Sequence, residues 1–136
     1  MESYHLDTSV VMRLLVQEPL DQYLRAADFI EEKLVAMASV SVGDLALAEA
    51  YYALQTFYQV TKAQALEMLA GFVMTPGIIV SPHALTILSL PSLATAKPGF
   101  ADRLIHGSAH AAGHTLVTFE KAAKKLPATL LLNAGA

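Results

Sequence analysis

Tyr4-His5-Leu6-Asp7-Thr8-Ser9-Val10-Val11 decides the architecture. A short apolar run ends in an acid, two hydroxyls follow, and a second apolar run begins. A buried strand hands over to a helix in this way. Ala38-Ser39-Val40-Ser41-Val42, Gly77-Ile78-Ile79-Val80, Thr115-Leu116-Val117 and Thr129-Leu130-Leu131-Leu132 repeat the theme as short segments with no charged side chain. They have the length and apolar character of buried strands. The stretches between them are helical. Tyr23, Ala27, Ile30 and Leu34 share one face, with Arg25, Asp28, Glu31 and Lys33 turned away from it. Thr61-Lys62-Ala63-Gln64 has the form of a capping box. Ser81-Pro82 reads as an N-cap followed by proline at the first helical position, with Pro91 ending that helix. Gly113 reads as the left-handed stop of a helix from about Phe100 to Ala112.

Strands alternating with helices pair in parallel through right-handed crossovers. The expected fold is therefore α/β: a single domain over residues 1–136, built as an α/β/α sandwich with a central parallel sheet of four to five strands. Such sheets bind ligands at the carboxyl ends of their strands, where strand order reverses. The places to look are just after Leu6, Val42 and Val117.

Composition narrows the chemistry. A chain of 136 residues, 54% apolar, has the material for a substantial core. The net charge of −3 gives no global basic field to attract nucleic acid, so any such binding must use local patches. With no cysteine, disulfides, thiolate catalysis and cysteine-ligated zinc are excluded. Met1 to Leu6 has neither a basic n-region nor an apolar h-region, and no apolar run approaches the roughly 18 residues of a membrane span. The expectation is a cytoplasmic protein without a membrane segment.

Several acids lack an obvious structural task. Ser9 is placed to cap a helix beginning near Val10, which leaves Asp7 over. Glu49 is the sole charge in Leu45-Ala46-Leu47-Ala48-Glu49-Ala50-Tyr51-Tyr52-Ala53-Leu54. A helix apolar nearly all round is expected to be buried, and a buried carboxylate needs a cation, a hydrogen-bond network or a cleft. An ion pair is the structural alternative. Asp102 opens a helix and Glu120 follows a strand; either is explicable alone as a first-turn acid facing the helix dipole. Together they say more. Asp7 and Glu120 are expected to flank the reversal point, with Glu49 and Asp102 on the helices after neighbouring strands. Carboxylates gathered in one cleft repel unless a cation holds them. An all-oxygen set without cysteine points to Mg2+ or Mn2+, which activates water and neutralises phosphate charge.

At these residues the chain resembles the PIN-domain ribonucleases, particularly the VapC-type toxins of bacterial toxin–antitoxin pairs. The resemblance is carried by Leu6-Asp7-Thr8-Ser9-Val10-Val11, the helix around Glu49, Gly99-Phe100-Ala101-Asp102-Arg103-Leu104-Ile105-His106 and Leu116-Val117-Thr118-Phe119-Glu120-Lys121. These occur in family order and cover the chain from Tyr4 to about Leu132. The resemblance implies a PIN fold, a Mg2+ or Mn2+ cofactor, endonucleolytic cleavage of RNA, a homodimer, and inhibition by a cognate antitoxin. Asp7, Glu49 and Asp102 match the family's three acidic positions, as catalytic and metal-holding residues. Glu120 stands where a fourth acid is usually aspartate, and Thr118 matches the hydroxyl before it. Ser9 replaces a more usual asparagine; with Thr8 it is expected to orient the carboxylates. The extra methylene at Glu120 puts a second metal position in doubt.

Lys97, Arg103, Lys121 and Lys124, with Lys125, are candidate RNA contacts, or simply a solvated basic face. His106, His110 and His114 suggest zinc only superficially, because Gly113 ends the helix before His114 and no catalytic glutamate lies between them. His5 and His83 read as structural, and Tyr51, Tyr52, Phe57 and Tyr58 as core or dimer contacts. Two other functions compete with the nuclease. One is a non-catalytic PIN-like subunit that binds RNA or a partner with an impaired metal site. The other is a phosphatase or phosphoacceptor domain, which fails because Ser9 stands where a second aspartate belongs and Leu6 and Thr8 flank Asp7.

Overall fold

A computed structural model describes residues 2–132; the outermost residues of the expected 1–136 domain lie outside that range. The elements run β1 (Ser3–Leu6), α1 (Thr8–Val16), α2 (Leu20–Val35), β2 (Ser39–Val42), α3 (Asp44–Phe57), α4 (Lys62–Val73), β3 (Ile78–Ile79), α5 (Pro82–Leu88), α6 (Phe100–Ala111), β4 (Leu116–Thr118) and β5 (Thr129–Leu131). Short 3-10 turns occupy Leu93–Thr95 and Lys121–Lys125.

All five expected strands form, and every pairing is parallel. They are joined differently from a continuous central sheet. β1, β2 and β3 make one sheet in that order, while β4 and β5 pair only with each other. In the first sheet Leu6 stands opposite Val42 and Val40 opposite Ile78. In the second, Leu116 stands opposite Thr129. The anticipated reversal point between β1 and β4 is thus not bridged by strand hydrogen bonds.

Local chemistry explains where the helices start and stop. Thr61 and Gln64 form both arms of the capping box, Thr61 Oγ1 accepting from Gln64 N at 3.1 Å and Gln64 Oε1 accepting from Thr61 N at 3.0 Å. Ser81 Oγ accepts from Ala84 N at 3.2 Å, and Pro82 opens α5. Beyond α6, Gly113 takes φ 77°, its N–H bonding His110 O while His114 N reaches Ala109 O. This pair of bonds closes the helix end on its last carbonyls.

The core lies among β2, α1, α3, α4 and α6. Val11, Val40, Leu47, Leu54, Leu69 and Phe100 are its fully buried large side chains. Each contributes roughly 1.5–3 kcal/mol through apolar burial. Two glycines permit close approach. A Cβ on Gly77, which has φ +88°, would fall 2.6 Å from a Leu34 methyl carbon; one on Gly107 would fall 2.7 Å from the His83 ring. No helix among the described residues is long and apolar enough to cross a membrane.

Candidate functional site

The β1–α1 junction sets the first acid. α1 begins at Thr8, two residues earlier than expected, and Asp7 is its N-cap, accepting from Val10 N at 3.2 Å. The cap assignment to Ser9 is therefore corrected: Asp7 has a structural task. Ser9 instead donates from its hydroxyl to Asp7 Oδ1 at 2.6 Å. These donors, the Ser9 hydroxyl first and the Val10 amide next, hold the Asp7 carboxyl below its ordinary value. Oδ1 receives both recorded bonds. A carboxylate can cap through one oxygen and present the other to a cation.

The next residue along reaches the second acid. Thr8 Oγ1 donates to Glu49 Oε1 at 2.8 Å, tying α1 to α3. Glu49 itself is exposed, which overturns the expectation of burial. The reason lies in the face it shares with Leu45 and Tyr52, which are 74% and 55% exposed. That apolar stripe of α3 is left uncovered, and Glu49 sits in it with a hydroxyl partner.

Asp102 is exposed in the first turn of α6 and lines a cavity of about 240 Å³ with Tyr51, Tyr52, Gln55 and Lys62. Glu120 follows β4 of the separate two-stranded sheet. It caps the 3-10 turn after β4, accepting from Ala122 N at 3.4 Å, and is exposed. Thr118 Oγ1 accepts from Glu120 N at 2.9 Å, so this hydroxyl shapes the backbone of residue 120.

Among the described residues no three His, Asp or Glu side chains already converge as a metal cage. The donor chemistry nonetheless suits Mg2+ or Mn2+: the oxygens are solvent-accessible, and Asp7 is held anionic. Mg2+ commonly binds through one or two carboxylates, with water and phosphate completing its octahedron. Asp7, Glu49 and Asp102 are the carboxylates that could supply such ligands. Histidine chemistry does not compete. Buried His106 donates from Nε2 to Pro127 O at 2.7 Å and stacks on His110 with ring centroids 5.6 Å apart.

Of the expected cationic contacts, Lys97, Lys121 and Lys124 are exposed. Arg103 is half-buried, donates from Nε to Pro98 O at 2.7 Å, and lines a separate cavity between α5 and α6. Two other arginines were not among the expected contacts, Arg25 reading only as an outward-facing residue of its helix. Arg13 and Arg25 line a cavity of about 680 Å³ that also holds Asp7, Ser9, His5 and Phe29. The available signal was position: Arg13 is the first Lys or Arg in the chain and Arg25 the second. A further group also escaped notice. Asp44 at the start of α3 accepts from Ser81 Oγ at 2.7 Å and from His83 Nε2, which fastens α5 to α3. His83 is structural, as expected.

With this geometry in place, the sequence matches the family described as PIN domain over residues 4–128. No curated protein shows a significant match. Among solved structures, one of VapBC2 from Rickettsia felis, bound to a DNA fragment from its promoter, contains a chain 23% identical to this one. The alignment covers 96% of this chain and 98% of that one, with a TM-score of 0.39.

Proposed function

The chain belongs to the PIN-domain family, and from that premise we propose that it is a Mg2+- or Mn2+-dependent endoribonuclease, the toxin of a toxin–antitoxin pair. The observation that carries the reading is the β1–α1 junction. One turn of chain offers Asp7 with its carboxyl kept anionic and, through Thr8, positions Glu49 of another helix. Asp102 is the third oxygen donor. Glu120 is assigned a lesser, auxiliary part, because it follows a strand of the separate two-stranded sheet.

When bound, a divalent ion lowers the pKa of a water and neutralises charge on the phosphate under attack. The chain's own residues do the rest. Ser9 fixes the Asp7 carboxylate and Thr8 fixes that of Glu49, so both acids are oriented before substrate arrives. Arg13 and Arg25, in the cavity that ends at Asp7, hold the RNA backbone by pairing with phosphates. Lys97, Arg103, Lys121 and Lys124 are assigned a weaker, outer electrostatic role. The antitoxin partner and the homodimer rest on the four motifs that resemble VapC-type toxins, and the cytoplasmic setting on the N-terminal sequence and the short apolar runs.

A second reading has one observation in its favour. Among the described residues the acids form no ready-made cage, and Glu120 follows a strand of the separate two-stranded sheet. A PIN domain that binds RNA or a partner without turnover would look similar. The deciding experiment incubates the partner-free protein with a panel of cellular RNAs in Mn2+, Mg2+ or EDTA, beside Asp102→Asn. Discrete fragments that need metal and disappear in the variant are expected. Intact RNA throughout, from a folded protein that binds Mn2+, would replace the enzyme with the binding subunit.

A further inference from the structure

The cavity beside Asp102 contains polar groups that holding a cation does not employ. α3 brings Tyr52 and Gln55 to it and the first turn of α4 brings Lys62. Tyr52 is 55% exposed, and its ring meets that of Tyr51 edge-on at 5.1 Å. Tyr51 is itself buried and packed against Phe100, again at 5.1 Å. The exposed ring therefore stands on a fixed support, with its outer surface available for a planar partner. Gln55 is similarly constrained. Its Nε2 donates to Tyr51 O at 3.1 Å, so the amide presents Oε1 as an acceptor. Lys62 pairs with no carboxylate among the described residues. Tyr52 lies one helical turn beyond Glu49, so these groups adjoin two of the three principal acids.

We propose that this cavity is a subsite for one unstacked base of single-stranded RNA next to the bond to be cut, a proposal that rests on the ribonuclease reading. Its volume of about 240 Å³ suits one base and excludes a duplex. The Tyr52 ring provides the stacking face, since aromatic side chains hold unstacked bases in this way. Gln55 Oε1 accepts a hydrogen bond from an exocyclic amine. That edge favours bases with an exocyclic amine, such as adenine or cytosine, over uracil, which has none and offers only an N3–H set between two carbonyls that repel the amide oxygen. Lys62 pairs with the phosphate of the same nucleotide. The subsite thus selects at one position while Arg13 and Arg25 hold the backbone without reading it.

The test uses Asp7→Asn protein, so that RNA is bound and not cut, with fluorescein-labelled hexanucleotides of A, C and U followed by anisotropy at several salt concentrations. The A or C oligomers are expected to bind at least about fivefold more tightly than U. Tyr52→Ala should weaken all of them by about tenfold or more, and Tyr52→Phe, which keeps the ring, should restore binding. Gln55→Leu should erase the base preference. Lys62→Gln should reduce the slope of log affinity against log salt by about 0.7. Parent-like affinity, preference and slope in all these variants, from a protein that does cut RNA, would overturn the subsite and leave the nuclease standing. Tyr52→Ala that changes the mass in solution while Gln55→Leu keeps the preference would also overturn it, assigning Tyr52 to contact between copies. An unsubstituted protein that neither cuts nor binds any RNA would remove both.

Discussion

The two parallel sheets have similar sequences and different surroundings. In the three-stranded sheet Leu6, Val40, Val42 and Ile78 are buried, and helices α1 and α3 leave from its strand ends carrying Asp7 and Glu49. In the two-stranded sheet no strand residue is buried; Val117 and Leu130 are 53% and 52% exposed, and Phe119 just beyond is 67% exposed. A short apolar run thus forms a strand in both places, but only covering helices turn it into a rigid support. The acid that follows inherits the difference. Asp7 is fixed by a hydroxyl and an amide at the edge of a packed core, whereas Glu120 caps a turn against an open ladder.

The largest effect that tests this contrast is on stability. Phe100→Ala should cost about 3–5 kcal/mol, because this first residue of α6 is fully buried and packs against Tyr51 of α3. Val117→Ala on the open ladder should stay within about 1 kcal/mol. Urea unfolding of both variants measures the gap, and equal losses would mean the ladder is covered in solution. Next in size is cleavage. Asp7→Asn should slow it about a hundredfold or more, on the several kcal/mol that a metal centre supplies. Glu120→Gln should slow it less than about tenfold; initial rates at saturating Mn2+ that fall equally would restore Glu120 to full partnership.

A mid-sized effect concerns the fastening of α5. Asp44→Ala strands the Ser81 and His83 donors in a half-buried place and should cost about 1–3 kcal/mol, read as a lowered urea midpoint. The smallest effect is on titration. The folded Asp7 carboxyl ionises at lower pH than an unfolded one, so its contribution to stability is present above the unfolded value and is lost as pH falls through the folded one. Ser9→Ala removes the leading cause of that depression. The Asp7 titration, followed by carboxyl-carbon NMR, should move upward toward the unperturbed value, with a smaller loss of stability on acidification. An unmoved titration would assign the depression to the backbone amides of residues 9 and 10.

What was legible in the sequence was local. Thr61 with Gln64, Ser81 with Pro82, and Gly113 each act within a few residues, and each marks its helix end where expected. The strand runs were equally plain, since length and lack of charge suffice to name them. Asp7 and Ser9 were harder, because both side chains can cap a helix and only the backbone start at Thr8 decides between them. Features that need distant partners were not legible. The split into two sheets depends on which strands hydrogen-bond, and the Asp44–His83 contact joins residues 39 positions apart. Nor did the apolar count of α3 disclose which stripe stays uncovered. The pattern that suggested a buried Glu49 was a sum over all faces, whereas exposure belongs to one. Of the candidate residues, Asp7 and Glu120 could be placed after strands and Glu49 and Asp102 on helices, but Arg13, Gln55 and Lys62 came into view only through the cavities they line.

Gly107 has a consequence that reaches well beyond its own neighbourhood. The missing side chain lets the His83 ring lie flush on α6, and His83 is held from behind by Asp44 of α3. Helix α6 is the one that carries Asp102. Glycine and imidazole together act as a spacer that gauges the separation of α3 and α6, and with it the span between Glu49 and Asp102. A single methyl at position 107, touching neither acid, would push that gauge open. Displacements of about 1 Å can cost a reaction roughly a hundredfold in rate. On the proposed nuclease reading, the span between two of its acids is thereby set on the far side of a helix, by an atom that is not there.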